Sequence, residues 1–86
     1  MFTGLVEAVG TIVARRWDVT VFRVGSPFAG ELKRGESVAV SGVCTTVTEC
    51  DGASFAVELT GETMNVSRFS FVTMGERVNL ERALPA

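Results

Sequence analysis

Histidine is absent from this 86-residue chain, so no imidazole of its own can serve as a general base or metal ligand. Cysteine is scarce: Cys44 and Cys50 have no further sulfur or imidazole with which to complete a zinc site. On one extended segment their six-residue spacing amounts to ~20 Å, far beyond disulfide reach. Both are expected to be free thiols in a reducing compartment, and no metal is expected. Charge of one sign is lacking too. Eight basic residues against ten acidic ones give a net charge of −2, which leaves no electrostatic footprint for DNA, RNA or an anionic membrane. No apolar run approaches the ~18 residues of a helical membrane span. The opening Met1-Phe2-Thr3-Gly4 has no basic stretch before its apolar residues, unlike a secretory signal. The expected location is the cytoplasm.

What is present points to a folded β protein. Hydrophobic residues make up 47% and charged residues 21%, with only two prolines, which excludes disorder. Fourteen valines and nine threonines against a single isoleucine give a β-branched bias that favours strands. A chain of this size is one domain, residues 1–86, and buries roughly 60% of its unfolded surface. Its core is marginal, so a bound ligand or a second copy is expected to add stability. A two-domain enzyme with a large enclosed site is excluded.

Turn signals divide the chain into short strands. Leu5 to Ala14 reads as a strand interrupted at Gly10 by a bulge or a close backbone approach. Val19 to Val24 reads as a second strand, closed by Gly25-Ser26-Pro27. Phe28 to Leu32 is a connector with room for one helical turn, and Lys33 to Glu36 is a turn. The run from Ser37 to Glu49 alternates well on both sides of Gly42 and is expected to be one long strand bent at that glycine. Asp51-Gly52 is a hairpin turn leading into Ser54 to Leu59, with Phe55, Val57 and Leu59 on one face. Glu62 to Phe69 is the only helix candidate. Gly75 then opens a last strand, with Val78 and Leu80 inward and Asn79 and Glu81 outward. Gly35-Glu36-Ser37-Val38 is echoed forty residues later by Gly75-Glu76-Arg77-Val78, either as a repeated turn or by chance. Short strands in this number predict a closed antiparallel barrel, because closure removes exposed edges.

Two polar segments are candidates for function. Ser41-Gly42-Val43-Cys44-Thr45-Thr46 collects hydroxyls, a thiol and a glycine. It reads either as a pocket rim for a polar planar molecule or as a strand using threonine for propensity and cysteine as a small hydrophobe. The residue types alone favour the second. Thr60-Gly61-Glu62-Thr63 reads either as a helix cap or as a set of amides open to a heterocycle. Capping is the simpler account.

A family resemblance bears on both. Met1-Phe2-Thr3-Gly4-Leu5-Val6-Glu7, the run Gly35 to Thr48, Glu62-Thr63-Met64 and the run Gly75 to Leu84 resemble, in order and spacing, the N-terminal lumazine-binding barrel of the riboflavin synthase family. The resemblance implies an all-β, six-stranded antiparallel Greek-key barrel with one short helix. It also implies a shallow site for 6,7-dimethyl-8-ribityllumazine, riboflavin or FMN. Carried over by position, the ligand would meet Gly4, Leu5 and Val6, the Ser41-Gly42-Val43-Cys44 bend with Thr46, and Thr60-Gly61-Glu62-Thr63.

The family's synthases pass a four-carbon unit between two lumazines held by paired, unlike barrels. These 86 residues contain one such barrel, with Ser41 at a usual asparagine position and Thr45 at a usual leucine. The stretch Asn65-Val66-Ser67-Arg68-Phe69 stands in place of the usual arginine- and threonine-rich one. Of the catalytic face, Ser37 and Cys44 match. The expectation is therefore non-catalytic flavin or lumazine binding in a homodimer, serving storage, delivery or sensing. A minimal synthase using Ser37 and Cys44 is the alternative, and a ligand-free structural or regulatory module is the third.

Overall fold

The computed structural model describes residues 2–16, 21–59 and 72–83. Six strands are present there: β1 (Ala8–Arg15), β2 (Val21–Gly25), β3 (Ser37–Val40), β4 (Val43–Cys50), β5 (Ser54–Glu58) and β6 (Arg77–Arg82). A 3₁₀ turn, Ala29–Glu31, occupies the connector expected to hold one helical turn. The strands close into a barrel in the order β1-β2-β5-β4-β3-β6, and every neighbouring pair is antiparallel. Strands β3, β4 and β5 are successive hairpins, and β6 returns to lie beside β3. That is the Greek key, and the expected fold is the observed one. The helix expected over Glu62 to Phe69 lies outside the described residues.

Period-two alternation builds the core. Val38 and Val40 of β3, Val47 of β4, Phe55 and Val57 of β5 and Val78 and Leu80 of β6 are all essentially inaccessible. The Phe28 and Phe55 rings stack at 6.4 Å between centroids. The Arg82 guanidinium lies 4.6 Å above the Phe28 ring and pairs with Glu7 at 2.7 Å and Glu31 at 3.1 Å. Hydrogen bonds from Arg82 hold the Glu7 carboxyl below its ordinary range. Thr45, the departure from leucine, faces the core but donates its hydroxyl to the Val38 carbonyl at 2.8 Å, so its buried oxygen is satisfied.

One expectation is corrected. The run from Ser37 to Glu49 is two strands joined by a tight hairpin, with Val40 opposite Val43 and only Ser41 and Gly42 between them. Both loop residues have positive φ, 48° and 83°, as a type I′ turn requires and as the twist of flanking strands favours. A serine with that φ conceals the signal that asparagine-glycine would have shown. The bulge of β1 likewise falls between Ile12 and Ala14, and Gly10 is a point of close approach instead.

The forty-residue echo is a real repeat in hydrogen bonding. Gly35 donates to the Val47 carbonyl and the Val47 N–H donates to the Glu36 carbonyl, both at 2.8 Å. Gly75 donates to the Ile12 carbonyl at 2.8 Å and the Ile12 N–H donates to the Glu76 carbonyl at 2.9 Å. The two glycines share φ values of 90° and 85°. One turn therefore locks β3 to β4, and its copy locks β6 to β1.

Candidate functional site

Register places Ala39 of β3 between Cys44 of β4 and Glu81 of β6. Their sequence neighbours Val38, Val40, Val43, Thr45 and Leu80 are buried in the core. Alternation therefore puts Cys44, Ala39 and Glu81 in one row on the outside of the barrel. Two residues further along, Ser37 stands opposite Thr46 on the same outer face.

The chain segment before β1 lies over this face. The Thr3 N–H and hydroxyl both donate to Glu81 Oε2, the hydroxyl at 2.8 Å, and the Gly4 N–H donates to Oε1 at 3.0 Å. The Glu7 N–H then reaches the Leu80 carbonyl at 2.8 Å, leading into β1. Glu81 is consequently only 8% exposed despite its outward position. Desolvation pushes its carboxyl up, but the donors from Thr3 and Gly4 outweigh that and hold it below its ordinary range.

Between this segment and the sheet is a cavity of about 120 Å³, lined by Gly4, Val6, Ala39, Gly42, Asn79, Leu80 and Glu81. The Ser41–Gly42 turn is held at its edge, because the Ser41 N–H donates to the Asn79 carbonyl at 2.7 Å. Pockets that take a drug-sized molecule have volumes of roughly 300–1,000 Å³. The described residues thus supply one wall of such a site, with main-chain polar groups, a carboxylate and small apolar side chains.

The structure gathers the sequence candidates unevenly. Gly4, Val6 and Gly42 line the cavity together, and Ser41 fastens its edge. Cys44 is exposed in the same row as Ala39 and Glu81, with Thr46 half-buried beyond it. Leu5 is 73% exposed and does not line the cavity, and the Val43 side chain belongs to the core. Thr60, Gly61, Glu62 and Thr63 lie outside the described residues. Ala39, Asn79, Leu80 and Glu81, which also line the cavity, were missed. The outward parity of Asn79 and Glu81 was readable, but their apposition to Gly4 depends on a contact spanning 77 residues. Among the described residues no group of side chains could hold a metal ion, and no helix is long and apolar enough to cross a membrane.

The described residues thus form a closed Greek-key barrel with a shallow recess on its outer wall. Residues 3–83 match the model of the lumazine binding domain, and the chain belongs to that family. It is 36% identical to a riboflavin synthase of Bacillus amyloliquefaciens, a match covering 100% of this chain and 41% of that protein. A riboflavin synthase of Photobacterium phosphoreum is 35% identical over 98% of this chain and 40% of its own length. One from Mycobacterium tuberculosis is 40% identical over 96% and 43%. The chain spans about two fifths of the length of these curated relatives.

Proposed function

We propose that this barrel binds 6,7-dimethyl-8-ribityllumazine or a flavin such as riboflavin or FMN on its outer wall without converting lumazine to riboflavin. The observation that carries the reading is the recess itself. Gly4, Val6 and Gly42, three positions singled out by the family resemblance, converge on one cavity although they lie up to 38 residues apart in sequence. A planar heterocycle there would meet the Ser41–Gly42 turn and the outer faces of Ala39 and Cys44. Thr60, Gly61, Glu62 and Thr63 would supply further polar groups, with Glu62 accepting from the ribityl hydroxyls.

The small volume supports a second barrel as the opposing wall. Leu5, Val6, Val9, Val13 and Met74 are between 44% and 73% exposed, an apolar surface that a homodimer would cover. A dimer of this barrel alone would hold two identical sites, without the unequal donor and acceptor roles of a lumazine dismutation, and binding without turnover is the reading proposed for such a dimer. The setting proposed is cytoplasmic, where Cys44 and Cys50 stay reduced.

One observation favours the synthase alternative: Ser37 and Cys44 share the outer face on paired strands. A single experiment separates the readings. Riboflavin and 6,7-dimethyl-8-ribityllumazine are titrated by fluorescence, and lumazine solutions are then followed for riboflavin formation. Saturable binding without product is the expected result. Multiple turnovers lost in Cys44→Ser would establish the synthase reading, and absence of binding by either ring would leave the ligand-free module.

A further inference from the structure

We propose that Glu81 is a positioning residue for the ligand site, its carboxylate holding the Thr3–Gly4 segment in place as one wall of the cavity. The inference rests on the binding function proposed above and assigns that site a determinant of affinity.

The argument begins with an anomaly of burial. Glu81 occupies an outward position of β6, where glutamate ordinarily sits in water, yet it is 8% exposed. Covering a carboxylate is unfavourable unless its oxygens are hydrogen-bonded. Here both are, by three donors drawn from two consecutive residues at the far end of the chain. Among the described residues, every hydrogen bond tying Thr3 and Gly4 to the barrel ends on this one carboxylate. The Glu7 carboxylate, close enough to act electrostatically on Glu81, is itself engaged by Arg82.

These contacts serve the cavity rather than the barrel. The β1–β6 ladder starts at Ala8 opposite Leu80, and the β3–β6 ladder runs through main-chain groups. Neither uses the Glu81 side chain. Gly4 and Glu81 both line the recess, as does Val6 two residues after Gly4. Releasing Thr3 and Gly4 would therefore take away a wall while leaving the barrel's hydrogen bonds and core in place. Apparent affinity falls in proportion to the fraction of molecules with the wall in position. A segment fastened by charge-assisted bonds and then freed should cost about tenfold in affinity.

The test compares wild type with Glu81→Leu, Glu81→Gln, Thr3→Val and the double variant Thr3→Val/Glu81→Leu. Riboflavin and 6,7-dimethyl-8-ribityllumazine are titrated by fluorescence, Tm is measured, and amide exchange is followed at Thr3 and Gly4. The expected result is about tenfold weaker binding in Glu81→Leu with little change in Tm, and partial rescue in Glu81→Gln, which keeps one acceptor oxygen. Thr3→Val should weaken binding in the wild-type background and have no further effect beside Glu81→Leu. Exchange at Thr3 and Gly4 should accelerate in Glu81→Leu without ligand. Wild-type binding matched by all the Glu81 variants overturns this proposal alone, as does unchanged exchange. If Glu81→Leu fails to fold, Thr3→Val and Glu81→Gln decide the matter by the same affinity and exchange readouts. Wild-type protein that binds neither ring overturns the functional reading, and the present proposal with it.

Discussion

Gly10 and Leu80 approach so closely that a Cβ on Gly10 would stand 2.7 Å from Leu80 Cδ1. The same atom would lie 2.7 Å from Val24 Cγ1 and 2.8 Å from the Gly25 carbonyl oxygen. Gly10 is paired with Val78 in the β1–β6 ladder, so the strand cannot back away without losing its partner. Gly10→Ala is expected to destabilise the fold by about 1–3 kcal/mol through overpacking. Urea unfolding checks this, and an unchanged midpoint would refute it.

Ser41 offers the opposite opportunity. Its φ of 48° lies in the left-handed region, which asparagine tolerates better than serine. Ser41→Asn creates the favoured pair for a type I′ turn and should stabilise the protein by about 0.5–1 kcal/mol. A rise in the urea midpoint at constant m-value is the expected signature. A lower midpoint would show that the Ser41 hydroxyl, 3.4 Å from the Asn79 N–H, matters more than the turn.

Asp51 gives the fold an acid-sensitive corner. The Ala53 and Ser54 N–H groups, followed by Arg23, hold its carboxyl down at about 2. A depressed folded pKa contributes stability that is present above the unfolded value of ~3.9 and disappears as pH falls through the folded one. Asp51→Asn should therefore lose stability relative to wild type at neutral pH, and the gap should close between about pH 4 and pH 2. Thermal scans across that interval provide the measurement. A gap that stays constant would remove the charge from the explanation.

The exposed valines of β1 bear on self-association. Val9 and Val13 are 53% and 44% accessible, so Val9→Ser/Val13→Ser removes little buried surface from one barrel. Its unfolding free energy, measured at concentrations where the chain is monomeric, should change by less than about 1 kcal/mol. Its sedimentation at micromolar concentration should shift towards monomer. Equal association by both proteins would place the contact elsewhere.

The barrel was legible in the sequence because its information is local. Alternation at Phe55, Val57 and Leu59 assigns a buried face without any knowledge of partners. Asp51-Gly52 marks its own turn, and the Gly35 and Gly75 echoes announce equivalent corners. The hairpin at Ser41–Gly42 was hidden because Ser-Gly lacks the asparagine that marks a type I′ turn, although the buried parity does shift there, from Val38 and Val40 to Val43, Thr45 and Val47. The site was legible only in part. Gly4, Val6 and Gly42 carried a family pattern, whereas Ala39 and Glu81 are ordinary strand residues in sequence. What makes Glu81 unusual is the distant Thr3 lying across it, and no local pattern encodes that contact.

The repeated corners have a mechanical consequence for this recess. In a closed ring, one strand can slide only if its neighbours accommodate the shift. Gly35 with Glu36 fixes one seam and Gly75 with Glu76 another, and the two seams flank β3 and β6, which carry Ala39 and Glu81. The recess thus resembles a bench vise. Its fixed jaw is bolted at two points to the frame, its movable jaw is the Thr3–Gly4 segment, and the screw that tightens it is a single carboxylate.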